Sequence, residues 1–585
     1  MNVNLFIRSF SAIPKLAQVF IRCDSSVLIS RLSGCSRQVQ SIRMGASNTK
    51  SYDLGGSEDV CEAVVCKESD VKENEMKAFE VGDVGKVLIA KQGGKFFAVG
   101  NKCSHYGAPL NTGVLGPGHV RCPWHGACFS LATGDIEEFP GLDGIPCFKV
   151  EVQKNGDVKV KARRKDLGVA KVVKPMVSRD KNNNTTFVIV GGGPAALSCA
   201  ETLRQEGFTG RLVMVAKEDA LPYDRIKLSK GLDTTAEKLQ LRPPEFYKEH
   251  DIEVMLNTEV QSVNHYTKMV KLSSGTELKY NSVFLATGST PRRLECEGSN
   301  LKNIFVLRDV SDANKIQEQL NPERDVVIAG ASFIGMECAA YCQGKVKSVT
   351  VVGRGSVPFK AVLGEEIGAR IKAVFEEKGV QFRLGADLVK LLPSSNDSNS
   401  VGKVVLTDGS ELPADVVIAG IGAIPNTHFL NKADYNLEPN GSVPVDKHLE
   451  TNVKGVYAGG DIANAPVLHT KASIGHWQLA QYHGHIAGRN MAGKSTNLKA
   501  VPFFWTMFLG KSIRYAGFAP SFDKIIINGS LADLEFVAYY CQGDSVNAIA
   551  TMKTDPVAAK FADLLQSGRR LTRSEVEKNP NCWCT

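Results

Sequence analysis

Two short segments in the first quarter of the chain each combine one cysteine with one histidine. They are Cys103–His105 and Cys122–His125. Two thiolates and two imidazoles can hold a [2Fe–2S] cluster, with the thiolates on one iron and the imidazoles on the other. Because neutral imidazoles replace two anionic thiolates, such a cluster accepts an electron more readily than a four-cysteine cluster. The spacing predicts an electron-transfer centre whose ligands are Cys103, His105, Cys122 and His125.

Structural zinc accepts the same four donors, and it is the competing interpretation. Zinc fingers, however, group Cys with Cys and His with His, whereas here each segment contributes one of each. Followed by Gly107–Leu110 and by Gly126, the segments resemble the ferredoxin-type Rieske family. The respiratory-complex branch of that family has an extra cysteine where this chain has Ala108 and Trp124. The resemblance therefore implies a low-potential, ferredoxin-like cluster rather than a quinol oxidase.

Two glycine-rich segments each follow a strand-like apolar run and precede a helical pattern. One follows Phe187–Val190, and the other follows Asp325–Ala329. In this context G-x-G-x-x-G/A lets the chain turn tightly and directs a helix N-terminus at a pyrophosphate. Two such fingerprints predict two bound dinucleotides, with contacts from Gly191, Gly193 and Ala196 in the first and Gly330 and Gly335 in the second.

Three further segments come directly after predicted strands: Ala286–Gly288, Gly420–Gly422 and Gly459–Asp461. Together with the fingerprints they resemble the FAD-dependent pyridine-nucleotide oxidoreductases. In that family the FAD domain is split around an inserted NAD domain. The resemblance implies that Gly288, Gly422 and Asp461 contact the dinucleotides, with Asp461 on FAD.

The segment Leu221–Lys230 resembles the flavin loop of ferredoxin reductases and of apoptosis-inducing factor. In those proteins the residues matching Arg225 and Lys230 touch FAD. The lysine pairs beside the flavin with the glutamate that matches Glu337, so the resemblance implies that Lys230 and Glu337 are the catalytic pair. The same loop takes the place of the Cys-x4-Cys disulfide of thioredoxin and glutathione reductases, which argues against a disulfide reductase.

The C-terminal segment from about residue 497 resembles the last domain of the same family, whose aromatic side chains approach the flavin ring. The resemblance places Trp505 near that ring, and His476 and Trp477 beside it. For any single aromatic residue, packing in a core is the competing role.

Three positions depart from the family pattern. The acid expected after the second strand of the FAD domain is displaced to Glu218, which is a candidate for the adenosine ribose. In the NAD domain, Gly353 and Arg354 stand where an acid would favour NAD, and Arg354 offers a partner for a 2′-phosphate. We therefore expect NADPH to be tolerated. Ser332 replaces the middle glycine of that fingerprint and crowds the pyrophosphate, which predicts weak nucleotide binding.

These motifs order the chain into several domains. Strand-like runs on either side of Gly93-Gly94 predict a β-hairpin just before the first cysteine. The expected fold is an all-β Rieske domain, then an α/β split FAD/NAD(P)-binding reductase of two Rossmann-like domains, and an α+β C-terminal domain. The predicted ranges are 1–50 for a leader, 55–165 for the Rieske domain, 166–185 for a linker, 186–310 and 443–496 for the FAD domain, 311–442 for the NAD(P) domain and 497–585 for the C-terminal domain.

Composition argues against several classes of protein. The chain has 585 residues, of which 43% are hydrophobic, and no apolar run approaches the roughly 18–20 residues that span a bilayer. The 15 cysteines are too sparse for a disulfide-stapled secreted scaffold. The net charge of +8 lies mostly in the first fifty residues, so the nearly neutral remainder gives no reason to expect nucleic acid as a partner.

Those first fifty residues are rich in arginine and serine and contain a single acid, Asp24. This composition is typical of a mitochondrial transit peptide, although a disordered basic tail has the same composition. The segment Met44–Thr49 fits an N-myristoylation pattern if translation begins there. The expected location is therefore mitochondrial, with a cytoplasmic, membrane-associated form as the alternative.

The order of these parts resembles the Rieske-containing branch of the apoptosis-inducing factor family. The resemblance implies a link to cell death and residence in mitochondria or at a membrane. From the parts we predict electron flow from NADH or NADPH through FAD to the cluster and on to an unknown acceptor, either a small molecule or a redox protein. The alternative is a redox-sensing or pro-apoptotic interaction protein with slow turnover. Peripheral membrane association and a redox-dependent dimer are further expectations.

Overall fold

The computed structural model describes residues 59–584. The predicted basic leader and the Met44–Thr49 pattern lie outside the described residues. Within the described part, no helix combines the length and the apolar character needed to cross a membrane. We describe the strands of this part of the chain as four assemblies, of which the second is interrupted in the sequence by the third.

The first assembly is entirely antiparallel and carries the two Cys/His segments. The predicted hairpin forms, with strands at Gly85–Gln92 and Lys95–Gly100. A six-stranded sheet runs in the spatial order Val60–Lys67, Asp157–Arg163, Cys147–Val152, Lys95–Gly100, Gly85–Gln92 and Glu75–Val81. A smaller sheet holds Val114–Gly116, His119–Arg121, Cys128–Ser130 and Ile136–Glu138.

The second assembly is a five-stranded parallel sheet, whose near-continuous apolar strands are buried on both faces. Its last strand, Val456–Ala458, comes from far along the chain, so this domain is split. Two helices, Pro194–Gln205 and Trp477–Met491, pack against each other. The sheet order is Ile252–Met255, Arg211–Val215, Thr186–Val190, Ser282–Leu285 and Val456–Ala458, with short helices at Ala236–Leu239 and Pro244–Glu249.

Two short sheets flank this domain. One is formed by Val260–Asn264, Met269–Leu272 and Glu277–Lys279, and the other by Val443–Pro444, Ala463–Val467 and Thr470–Ala472, whose first two strands run parallel. Between Arg164–Leu167, which is a short helix, and the strand at Thr186, the described chain forms neither helix nor strand except for one bridge between Gly144 and Val172.

The third assembly repeats the parallel arrangement. Its first strand is Ile304–Phe305, which the predicted ranges assign to the FAD domain, so the second sheet begins before residue 311. The order is Ile304–Phe305, Val416–Ala419, Asp325–Ala329, Ser348–Gly353 and Gln381–Leu384. Its helices are Val310–Gln319, Phe333–Cys342, Lys360–Leu363 and Glu365–Glu376, and smaller sheets hold Leu388–Pro393, Val401–Leu406 and Glu411–Pro413, and Ser289–Pro291 with Ala423–Pro425.

The fourth assembly is an antiparallel sheet with two helices, Val557–Gln566 and Arg573–Lys578. Trp583, between the two C-terminal cysteines, is only 4% exposed and packs against Phe561 and Tyr539. The strand order is Phe503–Phe508, Lys511–Gly517, Ser545–Met552, Glu535–Gln542 and Lys524–Ser530, with Leu571–Thr572 beside Ser545–Met552. The first strand of this sheet carries Trp505 toward the other domains.

Candidate redox site

The two Cys/His segments fold into a matched pair of loops. In each, the cysteine N–H donates to the carbonyl five residues later, and the glycine four residues later donates back to the cysteine carbonyl. Both glycines have positive φ, which only glycine adopts without strain. The N···O distances are 2.9 and 2.9 Å for Cys103 with Ala108 and Gly107, and 2.7 and 3.2 Å for Cys122 with Ala127 and Gly126.

These loops bring all four predicted ligands to one place. The thiols of Cys103 and Cys122 are buried within hydrogen-bonding reach of each other. The Nδ1 atoms of His105 and His125 are 3.2 Å apart. Burial, assisted by Lys171 and Lys227, lowers the pKa of His105 to about 3, and burial lowers the pKa of His125 to about 2. Both imidazoles are therefore neutral, as metal ligation requires, and the donor set fits a [2Fe–2S] cluster.

Trp505 joins the cluster loops to the rest of the molecule. Its ring centroid lies 4.4 Å from that of His125 and 5.8 Å from that of His105. On its other side it lies 5.4 Å from His476. Trp505 and His476 both line a large cleft between the two parallel-sheet domains. The side chain therefore stands between the predicted cluster ligands and this cleft, a position that the sequence did not predict.

The cleft has a volume of about 910 Å³, near the upper end of the range for ligand sites. Its walls come from both fingerprints and from the C-terminal sheet. Eleven of the predicted site residues line it: Gly191, Gly193, Glu218, Arg225, Gly288, Glu337, Gly422, Asp461, His476, Trp477 and Trp505. Ala196, Lys230 and Gly335 directly adjoin lining residues in the sequence, and Gly330 lies two residues before the lining residue Ser332. Arg354 lies outside the lining.

The first fingerprint has the shape that a pyrophosphate requires. Gly191 has φ 135°, and a Cβ there would meet the carbonyl oxygen of Ala286 at 2.2 Å. A Cβ at Gly193 would meet nothing within 4 Å, so the helix N-terminus faces open space. The helix that begins at Pro194 buries Ala196 completely. This cradle fits the pyrophosphate of FAD.

The second fingerprint repeats this geometry with one change. Gly330 has φ 111°, and a Cβ at Gly335 would meet the carbonyl oxygen of Gly330 at 2.0 Å. Ser332 stands at the helix N-cap in extended conformation, and its hydroxyl donates to the carbonyl of Gly420 at 3.2 Å. The residue replacing the middle glycine therefore turns its hydroxyl toward the neighbouring strand end, and the cradle still fits a second dinucleotide.

Lys230 and Glu337 form a partly buried ion pair at 2.6 Å. Glu337 also accepts a hydrogen bond from Ser229 at 2.5 Å and from Thr506 at 2.5 Å. Three domains thus fix one carboxylate, since Ser229, Glu337 and Thr506 come from different assemblies. These three contacts occupy most of the roughly four lone-pair directions of the carboxylate, and they hold the charge pair in one orientation beside the cleft.

Glu218 lies at the rim of the cleft, after the strand Arg211–Val215. It accepts from Arg225 at 2.5 Å and from the hydroxyl of Tyr223 at 3.0 Å, while Arg225 stacks on the Tyr223 ring. Asp461 accepts from Ser289 at 2.8 Å and from Arg308 at 3.1 Å. Arg308 was not predicted from the sequence, because its partner is more than a hundred residues away and no motif contains it.

Polar contacts also hold the cluster loops against the reductase. The backbone carbonyl of Trp124 accepts from Arg514 at 2.9 Å, and the Tyr106 hydroxyl donates to Asp224 at 2.8 Å. His119 contacts Asp563 at 2.6 Å. A buried triad of Arg242 with Asp143 and Glu201 completes the set. These contacts fix the cluster domain against the domains that form the cleft. The cluster loops and the cleft together define a nicotinamide- and flavin-dependent oxidoreductase with its own iron–sulfur domain.

Comparisons with known proteins agree with this class. The family model for pyridine nucleotide-disulphide oxidoreductases matches residues 185–484, and the Rieske [2Fe-2S] domain model matches residues 61–149. The chain is 43% identical over 528 residues to apoptosis-inducing factor 3 of Homo sapiens, covering 89% of this chain and 86% of that protein. The chain belongs to the pyridine nucleotide-disulphide oxidoreductases, in the branch of apoptosis-inducing factor 3.

Shorter reductases match about two thirds of this chain over nearly their whole length. Rubredoxin-NAD(+) reductase of Pseudomonas putida is 33% identical, covering 60% of this chain and 92% of that protein. The solved covalent complex of putidaredoxin reductase with putidaredoxin superposes with a TM-score of 0.65 at 29% identity, covering 69% of this chain and 98% of that one. The predicted fold class, the oxidoreductase activity and the cofactors FAD, NAD(P)H and [2Fe–2S] are confirmed.

Proposed function

We propose that this oxidoreductase passes electrons from NAD(P)H to its own iron–sulfur domain, and from there to an external acceptor. The carrying observation is Trp505, which touches both predicted histidine ligands and lines the cleft. NAD(P)H supplies electrons in pairs as hydride, FAD can release them singly, and a [2Fe–2S] cluster takes one at a time. The side chains of the protein provide the fixed geometry in which this exchange takes place.

Each predicted residue has a positioning or electrostatic role in this proposal. The cradles at Gly191–Gly193 and Gly330–Ser332 hold the two pyrophosphates. Lys230, oriented by Glu337, keeps a positive charge beside the cleft, which stabilises negative charge developing on a bound ring. Hydride transfer requires aligned rings rather than a dedicated acid or base, so orientation is the principal contribution of the protein.

Anaerobic titration of the purified holoprotein with NADH and with NADPH tests the proposal. We expect the flavin absorbance to bleach and the EPR signal of the reduced cluster to appear in the same titration. The rate of cluster reduction should not depend on protein concentration, because donor and acceptor lie in one chain. Bleaching of the flavin without any cluster signal would show that the two groups are not connected.

The nucleotide preference is a second test. The Arg354 side chain is 84% exposed and pairs with Asp387 at 2.6 Å, and a Cβ at Gly353 would meet that of Ala331 at 2.9 Å. An acidic side chain at position 353 would therefore require Ala331 to move. The Arg354 side chain is exposed to solvent, where a bound nucleotide can reach it. We expect Arg354→Ala to lower kcat/KM for NADPH about fivefold, the effect of one exposed charge contact, and to leave kcat/KM for NADH nearly unchanged.

The matched control is Arg383→Ala on the neighbouring strand, which removes the same charge from another exposed arginine. It should change neither value. Wild-type protein that strongly prefers NADH would rule out the role assigned to Arg354.

We also propose mitochondrial residence, which the composition of the first fifty residues supports. Expressing the full chain and a chain that begins at Met44, each with a C-terminal fluorescent tag, tests this. Mitochondrial import of the full chain alone is the expected result.

A further inference from the structure

We propose that Tyr106 and Trp124, together with Lys171 and Lys227, form a docking face for an acidic one-electron acceptor protein. This inference rests on the proposed function and names the chemistry of its unknown acceptor. We call these four residues the exit face.

Tyr106 connects a predicted cluster ligand to the surface. Its ring stacks on that of His105, with centroids 3.9 Å apart and planes 16° from parallel. The side chain is nevertheless 41% exposed. Its hydroxyl donates to Asp224 at 2.8 Å, which fixes the ring in place. Tyr106 is thus a rigid aromatic group with one face on a ligand and the remainder in solvent.

Trp124 occupies the corresponding place in the second loop. It directly precedes His125, its ring centroid is 6.4 Å from that of the histidine, and it is 37% exposed. Arg514 holds its backbone carbonyl at 2.9 Å. Exposed, rigid aromatic residues are the usual energetic centres of protein interfaces. Here one such residue adjoins each of the two predicted histidine ligands.

Two exposed lysines lie near the first of these rings. The Lys227 ammonium lies 5.7 Å from the centroid of the Tyr106 ring and 3.6 Å from Asp224, and its side chain is 50% exposed. Lys171 is exposed and directly precedes Val172, which pairs with Gly144. The neighbouring Asp143 carbonyl accepts a hydrogen bond at 2.6 Å from Ser104 in the first cluster loop, which places Lys171 beside that loop. The carboxylate that contacts Tyr106, Asp224, has a side chain only 10% exposed. An approaching protein therefore meets two aromatic rings and two ammonium groups, which complement an acidic surface.

Stoichiometry favours a protein that binds transiently. One NAD(P)H and two oxidised acceptors yield one NAD(P)⁺, one proton and two reduced acceptors, so the acceptor must dock and leave twice in each turnover. A small aromatic centre with a charged rim suits such an encounter, because long-range attraction speeds association without slowing release.

The test uses the holoprotein, its Lys171→Glu/Lys227→Glu variant, and the acidic soluble domain of cytochrome b5 as probe. We expect the double variant to bind the probe about tenfold more weakly at low ionic strength, and to lose the salt dependence of Kd that the wild type shows. The rate of probe reduction should fall by a similar factor. Lys279→Glu/Lys432→Glu, a matched reversal at two exposed lysines on other elements, should leave Kd unchanged.

Two variants of Tyr106 separate the contribution of the aromatic ring to the rate of probe reduction from the contribution of the lysine charges. Tyr106→Leu should slow reduction of the probe, whereas Tyr106→Phe, which keeps the stacked ring, should retain most of the wild-type rate. Equal Kd of the probe for the wild type and for Lys171→Glu/Lys227→Glu would overturn the exit face, as would tighter binding of the basic protein cytochrome c than of the probe by the wild type. EPR distinguishes failure of the exit face from failure of the proposed function. If NADH reduces the cluster in both the wild type and the double variant, the proposed function stands even where the binding results overturn the exit face.

Discussion

Cys122→Ser should remove the visible and EPR signals of the cluster while NADH still bleaches the flavin. Cys122 is fully buried in the second loop, where a hydroxyl is a much weaker ligand for iron than a thiolate. The residue does not line the cleft, so the flavin site is unaffected. In the proposed route, reduction of an external one-electron acceptor should fall at least about a hundredfold, because loss of a ligand should cost no less than the roughly 10–100-fold that loss of an outer-shell partner costs.

Cys128→Ser is the matched control for this variant. Cys128 is equally buried in the same domain but does not belong to the predicted ligand set. Its serine variant should keep the cluster signals and the rate of acceptor reduction. If Cys122→Ser lost its cluster and still reduced the acceptor at the wild-type rate, electrons would be leaving the flavin by another path, and the proposed route would be wrong.

Arg242→Met should destabilise the docked cluster domain by about 3–5 kcal/mol, the usual consequence of leaving buried charges without a partner. Arg242 meets Asp143 of the cluster domain at 2.5 and 3.2 Å, and Glu201 of the FAD domain at 2.9 and 2.9 Å. All three residues are less than a tenth exposed. Burial raises the pKa of Glu201 and the Arg242 guanidinium opposes that rise, so the substitution forces this carboxyl toward its protonated form.

The free energy is measured from the first unfolding transition in urea, with flavin fluorescence and cluster absorbance recorded in parallel. Arg211→Met serves as control, because Arg211 makes an equally close double contact with Glu253 at the surface, where ion pairs contribute about 0–1 kcal/mol. Equal losses for the two methionine variants would mean that the buried triad contributes no more than a surface pair.

The cluster loops and fingerprints were predictable because their chemistry is local in sequence. Cys103 and His105 are two residues apart, and the turn that presents them is closed by backbone bonds within the same loop. The fingerprint at Gly191 likewise depends on a strand, a turn and a helix that are contiguous. Local backbone geometry determines such sites, so residue type and spacing suffice to find them.

The contacts that join the domains were not predictable in this way. Trp505 and His125 are separated by hundreds of residues, as are Arg514 and Trp124. Their pairing depends on how the surfaces of separate sheets fit together, and neither surface has a periodic signal. The early start of the second sheet at Ile304 has the same cause, because a two-residue strand is too short to show a pattern.

The placement of Trp505 has a consequence for how the protein responds to its own abundance. When a reductase and its iron–sulfur partner are separate molecules, dilution of either one slows their encounter. Here covalent connection fixes the local concentration of one redox group around the other, whatever the number of molecules in the compartment. In the proposed route, the expression level therefore sets the total rate at which electrons leave NAD(P)H. The rate constant for electron transfer from the flavin to the cluster stays the same in each molecule.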